Sequence, residues 1–165
     1  MRGLRRVVRP DLDVAPGERL LAWATTTDGV TIGGTRDAFY APERVPWEQV
    51  EAADWDTETS TLRLSEVGSW GATRPEHTYV IDDVDRPHRL VQLIRERVTA
   101  SVVYQRHVPL AGRRGVRVIA RRPPGRAADL TWVYEFDDDV DPDDPAVRLA
   151  AAEALAAARL EVGID

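Results

Sequence analysis

The chain has 165 residues, 22 basic and 28 acidic, giving a net charge of −6, and it contains no Cys. Every basic residue is Arg, so disulfides, thiolate metal sites, cysteine nucleophiles and lysine Schiff bases are all excluded. An acidic chain of this kind is not drawn as a whole to nucleic acid or anionic lipid. No apolar run is long enough to cross a bilayer. The opening Met1-Arg2-Gly3-Leu4-Arg5-Arg6-Val7-Val8-Arg9-Pro10 has the charges of a signal peptide without its apolar stretch, so a cytoplasmic protein is expected.

From Leu20 onward the pattern is one of short antiparallel strands. Leu21, Trp23 and Thr25 alternate with Ala22 and Ala24, and Asp28-Gly29 is the dipeptide best suited to a tight hairpin turn. Val30 and Ile32 continue the return strand, and Thr35-Arg36-Asp37 turns into Ala38-Phe39-Tyr40. Pro42 and Pro46 interrupt the pattern before Val45-Pro46-Trp47-Glu48-Gln49-Val50, which reads as a bend or single helical turn leading into a strand over residues 50–56. Further strands are expected over 61–67 and 77–82, separated by a long loop that holds Trp70.

A helix follows. Asp85 can accept hydrogen bonds from its first turn, and Pro87 suits that turn because no amide donor is needed there. Leu90, Val91, Leu93, Ile94, Val98, Val102 and Tyr104 share one helical arc, with His88, Arg89, Gln92, Arg95, Glu96 and Thr99 on the other. Arg97 sits at the edge of the apolar arc, where its stem can lie flat with the charge in water.

Beyond Pro109 the composition changes. Arg113, Arg114, Arg117, Arg121, Arg122 and Arg126 occur without an intervening acid, and Asp137, Asp138, Asp139, Asp141, Asp143 and Asp144 without a base. This part reads as a strand over 116–120, a Pro123-Pro124-Gly125 loop, a strand over 130–136 with Leu130, Trp132, Tyr134 and Phe136 on one face, and a helix over about 145–162. Three segments result: residues 1–17, a domain over 18–105 and a β-β-α extension over 106–165.

Several strands followed by one capping helix, over about residues 18–104, resemble the pleckstrin-homology-like (PH-like) fold. The text that carries the resemblance is Gly17-Glu18-Arg19-Leu20-Leu21 at the first strand, Gly34-Thr35-Arg36-Asp37-Ala38-Phe39-Tyr40, and Arg44-Val45-Pro46-Trp47-Glu48-Gln49-Val50 leading into the next strand. Arg without Lys, with many Ala, reads as the codon usage of a GC-rich genome, and the whole resembles the PH-like domain proteins of actinobacteria. The resemblance implies an α+β fold: a PH-like bent antiparallel β-sheet or barrel capped by an amphipathic helix, here extended by a C-terminal β-hairpin and Ala-rich helix. Lipid-binding PH-like domains carry Lys and Arg on the first hairpin loop, whereas Thr26-Thr27-Asp28-Gly29-Val30 has neither, so phosphoinositide binding is not expected.

His77, His88 and His107 have no spacing that makes them joint metal ligands. The Asp137–Asp144 run fails the calcium-loop pattern, with Pro142 where Gly is required and Arg148 where Glu is required, and reads better as a helix start. No catalytic, metal or cofactor residue is assigned: no phosphate loop, nucleophile elbow or His-Glu-x-x-His helix is present. A non-enzymatic interaction or scaffold module is expected, docking a protein partner or a second copy. Its candidate contact residues are Arg113, Arg114, Arg117, Arg121 and Arg122 on the basic strand, Trp132 and Tyr134 on the aromatic strand, and Leu149 and Leu160 on the last helix. The alternative is an anionic ligand, a nucleic acid or a phosphorylated molecule, bound by the Arg-rich stretch 113–126. The nearby acids can instead neutralise that strip.

Overall fold

The computed structural model describes residues 10–68, 74–82 and 87–163. Among the described residues the chain is α+β, with three antiparallel sheets and two α-helices. The first sheet is a meander of β1 (Ala22–Thr25), β2 (Thr31–Gly34), β3 (Ala38–Tyr40) and β4 (Arg44–Pro46). A 3-10 turn, Trp47–Gln49, then swings the chain out of that sheet into a second meander of β5 (Val50–Asp56), β6 (Thr61–Glu66) and β7 (Glu76–Val80). The two sheets meet through the isolated Thr26–Ile81 bridge, with Thr27 N–H donating to Val80 O and Asp82 N–H to Thr25 O. A barrel is one form the sequence allows, but among the described residues the sheets do not close into one: β4 and β5, on either side of the 3-10 turn, are not paired.

Helix α1 (His88–Ser101) lies over both sheets and buries Leu90, Val91, Leu93 and Ile94. The facing strands make room with small residues. Ala22 and Ala24 point inward while Leu21 and Trp23 are 43% and 37% exposed. A Cβ on Gly34 would meet Leu93 Cδ2 at 2.8 Å and Trp47 Cζ2 at 3.1 Å, so glycine is what lets helix and indole press onto β2. Trp47 is fully buried and its indole N–H donates to Thr35 O at 3.0 Å. The apolar core gathers Ile32, Phe39, Trp47, Val50, Leu62, Leu64, Ile81, Leu90 and Ile94. Asp85 and Trp70 lie outside the described residues.

The helix is shorter than its apolar arc implies. It ends at Ser101, and Val102 passes without a loop into β8 (Val102–Ala111), so Val102 and Tyr104 are strand residues. A run of two valines and a tyrosine fits a pleated strand at least as well as a helical arc, and pairing with the next strand decides the matter. β8 pairs with β9 (Arg114–Arg121), which pairs with β10 (Thr131–Phe136). The expected two-stranded hairpin is therefore a three-stranded sheet, and residue 105 falls inside β8.

Helix α2 (Pro145–Val162) has the expected bounds. Asp144 Oδ1 accepts from Ala146 N–H at 2.8 Å at its start, and Gly163 closes it at φ 83°. The acidic run serves local structure. Asp137 Oδ2 accepts from Gly115 N–H at 2.8 Å and contacts His107 Nε2 at 2.7 Å, while Asp139 pairs with Arg114 and Asp143 with Arg148.

Candidate interaction surfaces

The register of the third sheet sorts its side chains by face. Trp132, Tyr134 and Phe136 pair with Ala120, Val118 and Val116, which pair in turn with Tyr104, Arg106 and Val108. Residues directly opposite one another share a face, and this is the face that α2 covers. Tyr104 Oη donates to Glu161 Oε2 at 2.6 Å and Arg106 Nη1 to the same oxygen at 3.1 Å. Ala151 and Ala158 are the buried residues of α2. Trp132 packs edge-on against Tyr104 at 5.9 Å, and Tyr134 lies 6.2 Å from Phe136, so the aromatic strand is half-buried beneath the chain's own last helix.

The other face carries Arg117, Ile119 and Arg121, and the five candidate arginines do not form one strip. Arg113 lies exposed in the β8–β9 turn. Arg114 pairs with Asp139, and Arg117 reaches Glu135 across the β9–β10 ladder at 3.4 Å. Arg122 is exposed, and its backbone N–H donates to Ser101 O at 3.0 Å.

Arg121 has turned inward and is 4% exposed. Its Nη1 donates to Val50 O at 3.1 Å and to Ser101 Oγ at 3.0 Å, and its Nη2 donates to Glu51 O at 3.0 Å. One guanidinium thus clips β9 to the outer strand of the second sheet and to the end of α1. Burial pushes Arg121 below its ordinary value, against the pull of Glu51 and Glu135. Burial likewise raises the Glu51 carboxyl, with Arg74 beside it acting in the opposite direction. Arg74 also donates to Tyr134 O at 3.3 Å. Pro124 is fully buried and Arg126 pairs with Asp37, so the Pro123-Pro124-Gly125 loop docks on the turn before β3. An open cavity of about 470 Å³ beside this seam is lined by Glu51, Val98, Thr99, Val102, Gln105 and Arg121, among others.

The outer face of α2 is different in character. Leu149 is 63% exposed and Leu160 is 70% exposed, the highest values among the exposed large hydrophobic side chains of the described residues. With Ala156 between them at helical spacing and Ala152 at the edge, they form an exposed apolar line, which Glu153 interrupts one turn after Leu149. Val147 and Leu155, on another side of the helix, are half-buried, while Val162 near its end is 36% exposed. Nothing near Arg121 in the sequence locates it, because its carbonyl partners at Glu51 and Val50 lie 70 and 71 residues away. No family model, curated protein or solved structure matches the chain.

Proposed function

We propose that this protein is a non-enzymatic interaction module of PH-like architecture that docks a protein partner, in the first instance a second copy of itself, on the outer face of α2. The observation that carries the reading is the exposed Leu149–Leu160 line. A helix that has already buried one face, yet leaves two leucines and the alanines between them in water, has the makings of a second apolar contact. Small residues there permit a partner helix to approach closely. The PH-like part of the reading is supported by the order of elements: a four-stranded meander, a three-stranded meander and then a helix packed on both. The anionic-ligand alternative has less to stand on, because Arg121 is buried and Arg114 and Arg117 are paired with acids.

The test is sedimentation equilibrium of the wild-type chain and of Leu149→Glu with Leu160→Glu. The wild type should associate at micromolar concentration and the double variant should remain a folded monomer. A monomeric wild type that also captures no partner through this face from a native lysate would sink the reading. Salt-steep retention on a polyanion, abolished by Arg113→Glu with Arg122→Glu, would favour the alternative instead.

A further inference from the structure

The stretch from Pro10 to Leu21 has no regular secondary structure, yet it is pinned across the outer face of the first sheet. Its anchor is Glu18, whose side chain is 8% exposed. Oε1 accepts from Arg44 Nε at 2.9 Å and also from Arg44 Nη2. Oε2 accepts from Tyr40 Oη at 2.5 Å and from Thr35 Oγ1 at 3.0 Å. Tyr40 Oη in turn accepts from Ala15 N–H at 2.9 Å. Two residues beyond the acid, Leu20 lies on β2 at Gly33, where an added Cβ would meet Leu20 Cδ1 at 2.7 Å and Leu12 Cδ2 at 3.1 Å.

Every donor to the carboxylate comes from the strands or the turn joining them, and the backbone that carries these donors is held by pairings in which the strap takes no part. Thr35 is fully buried, and its Oγ1 also accepts from Asp37 N–H and Ala38 N–H, both at 3.1 Å. Its carbonyl is held by the Trp47 indole. Tyr40 is in the middle of the sheet, paired with Gly33 on one side and Arg44 on the other. A bidentate arginine with two hydroxyl donors is a carboxylate receptor in its own right, and here it stands beside a bare glycine shelf sized for a leucine. Trp23 pairs with Gly33 from the other side, so Trp23 and, two residues earlier, Leu21 extend the same outer face. The strap leaves both partly exposed.

We propose that the Thr35–Tyr40–Arg44 cradle is a docking site for an acidic peptide segment of a protein partner, with a leucine two residues after the acid, and that Glu18 and Leu20 of the strap occupy it in the resting chain. The contact is autoinhibitory. A segment held in the same chain competes at an effective concentration of order millimolar, so a partner displaces it by also covering Trp23 and Leu21. This site is separate from the outer face of α2, and failure of either leaves the other standing.

The test uses the full chain and a labelled peptide copying residues 10–21, read by fluorescence anisotropy. Glu18→Ala empties the cradle and should bind this peptide at least tenfold more tightly than the wild type does. Changing the peptide's own glutamate to glutamine, or adding Arg44→Gln to the protein, should abolish the gain. Equal binding by wild type and folded variant, or by the glutamate and glutamine peptides, would overturn the proposal. Stable association of Glu18→Ala with the wild-type chain would give the cradle to a second copy's strap and overturn the assignment to a partner. If Glu18→Ala does not fold, millimolar peptide added to the wild type must speed hydrogen exchange across residues 11–20. Unchanged exchange there overturns the proposal as well.

Discussion

The molecule is held together in two different ways. From β1 to α1, a continuous apolar cluster runs from Ala22 through Trp47 and Leu64 to Ile94, nearly all of it sealed from water. From β8 to α2, the buried apolar residues are fewer and smaller, Val116, Val118, Ile119, Ala120, Ala151 and Ala158, and the sheet is tied to the rest by the Arg121 clip, the hydrogen bond from Arg74 to Tyr134 O, the Arg126–Asp37 pair and buried Pro124. Apolar burial is non-directional and tolerates small shifts, whereas a buried guanidinium holds only while each partner stays in place. The two regions therefore differ in how they should fail. The first should lose stability gradually with the volume removed, and the second should come loose when one hydrogen-bonded group is changed.

The largest effect is expected from Trp47→Ala. It opens a cavity in the centre of the first region and strands Thr35 O, and should cost about 3–5 kcal/mol in urea unfolding, with both regions lost together. Arg121→Met leaves Val50 O, Glu51 O and Ser101 Oγ without their donor and should cost about 2–4 kcal/mol. Hydrogen exchange should rise in β8–β10 and α2 while β6 keeps its protection. Equal loss in both regions would break the comparison. Gly115→Ala places a Cβ 1.9 Å from Val108 O, a backbone clash at the irregular end of the β8–β9 ladder, and should cost about 1–3 kcal/mol. Asp144→Ala removes the α2 cap for about 1 kcal/mol, read as fraying of that helix by amide exchange.

A smaller effect is expected from pH, and it differs in sign between two carboxyls. Burial pushes Glu18 up, but the hydrogen bonds from Arg44, Tyr40 and Thr35 outweigh it and hold the carboxyl below its ordinary 4.5. The unfolded chain thus takes up that proton first, and the stabilisation, complete above pH 4.5, fades as pH falls through the lower folded value. Glu51 is raised by burial, so its contribution is least favourable at neutral pH and improves as pH falls through its folded value towards 4.5. As the solution is acidified, the wild type should therefore lose its lead over Glu18→Gln and close its deficit against Glu51→Gln, so that both variant curves approach it from opposite sides.

What the sequence disclosed follows the range of each interaction. The Asp28-Gly29 turn, the Val45-Pro46-Trp47 bend, the amphipathic face of α1 and the capped α2 are local patterns, and they are legible without a structure. β8 was hidden because Val102 and Tyr104 satisfy a helical arc and a strand alternation at once, and only pairing with β9 chooses between them. On the first strand, the alternation of Leu21 and Trp23 with Ala22 and Ala24 leaves open which pair faces inward, and the close packing of α1 on β1 gives the inner face to the alanines. Of the candidate contact residues, Leu149 and Leu160 are exposed, while Trp132 and Tyr134 are half-buried on the face that α2 covers. Arg121 alternates on its strand like a solvated base, and nothing near it in sequence marks it as buried. Glu18 and Arg44 are similarly mute, being 26 residues apart.

The passage from α1 to β8 without a loop has a mechanical meaning. Ser101 ends the helix, and its carbonyl and hydroxyl are both held from the end of β9, by Arg122 N–H just past the strand and by Arg121 Nη1 within it. There is no slack at that joint. A helix of 14 residues is about 21 Å long, so a tilt of α1 over the core would be delivered to the third sheet as the swing of a stiff arm. α2 rides on that sheet and would travel farther than the helix that drives it. The joint is a pin without play, and it fixes the third sheet, and the Leu149–Leu160 line riding on it, to the end of α1.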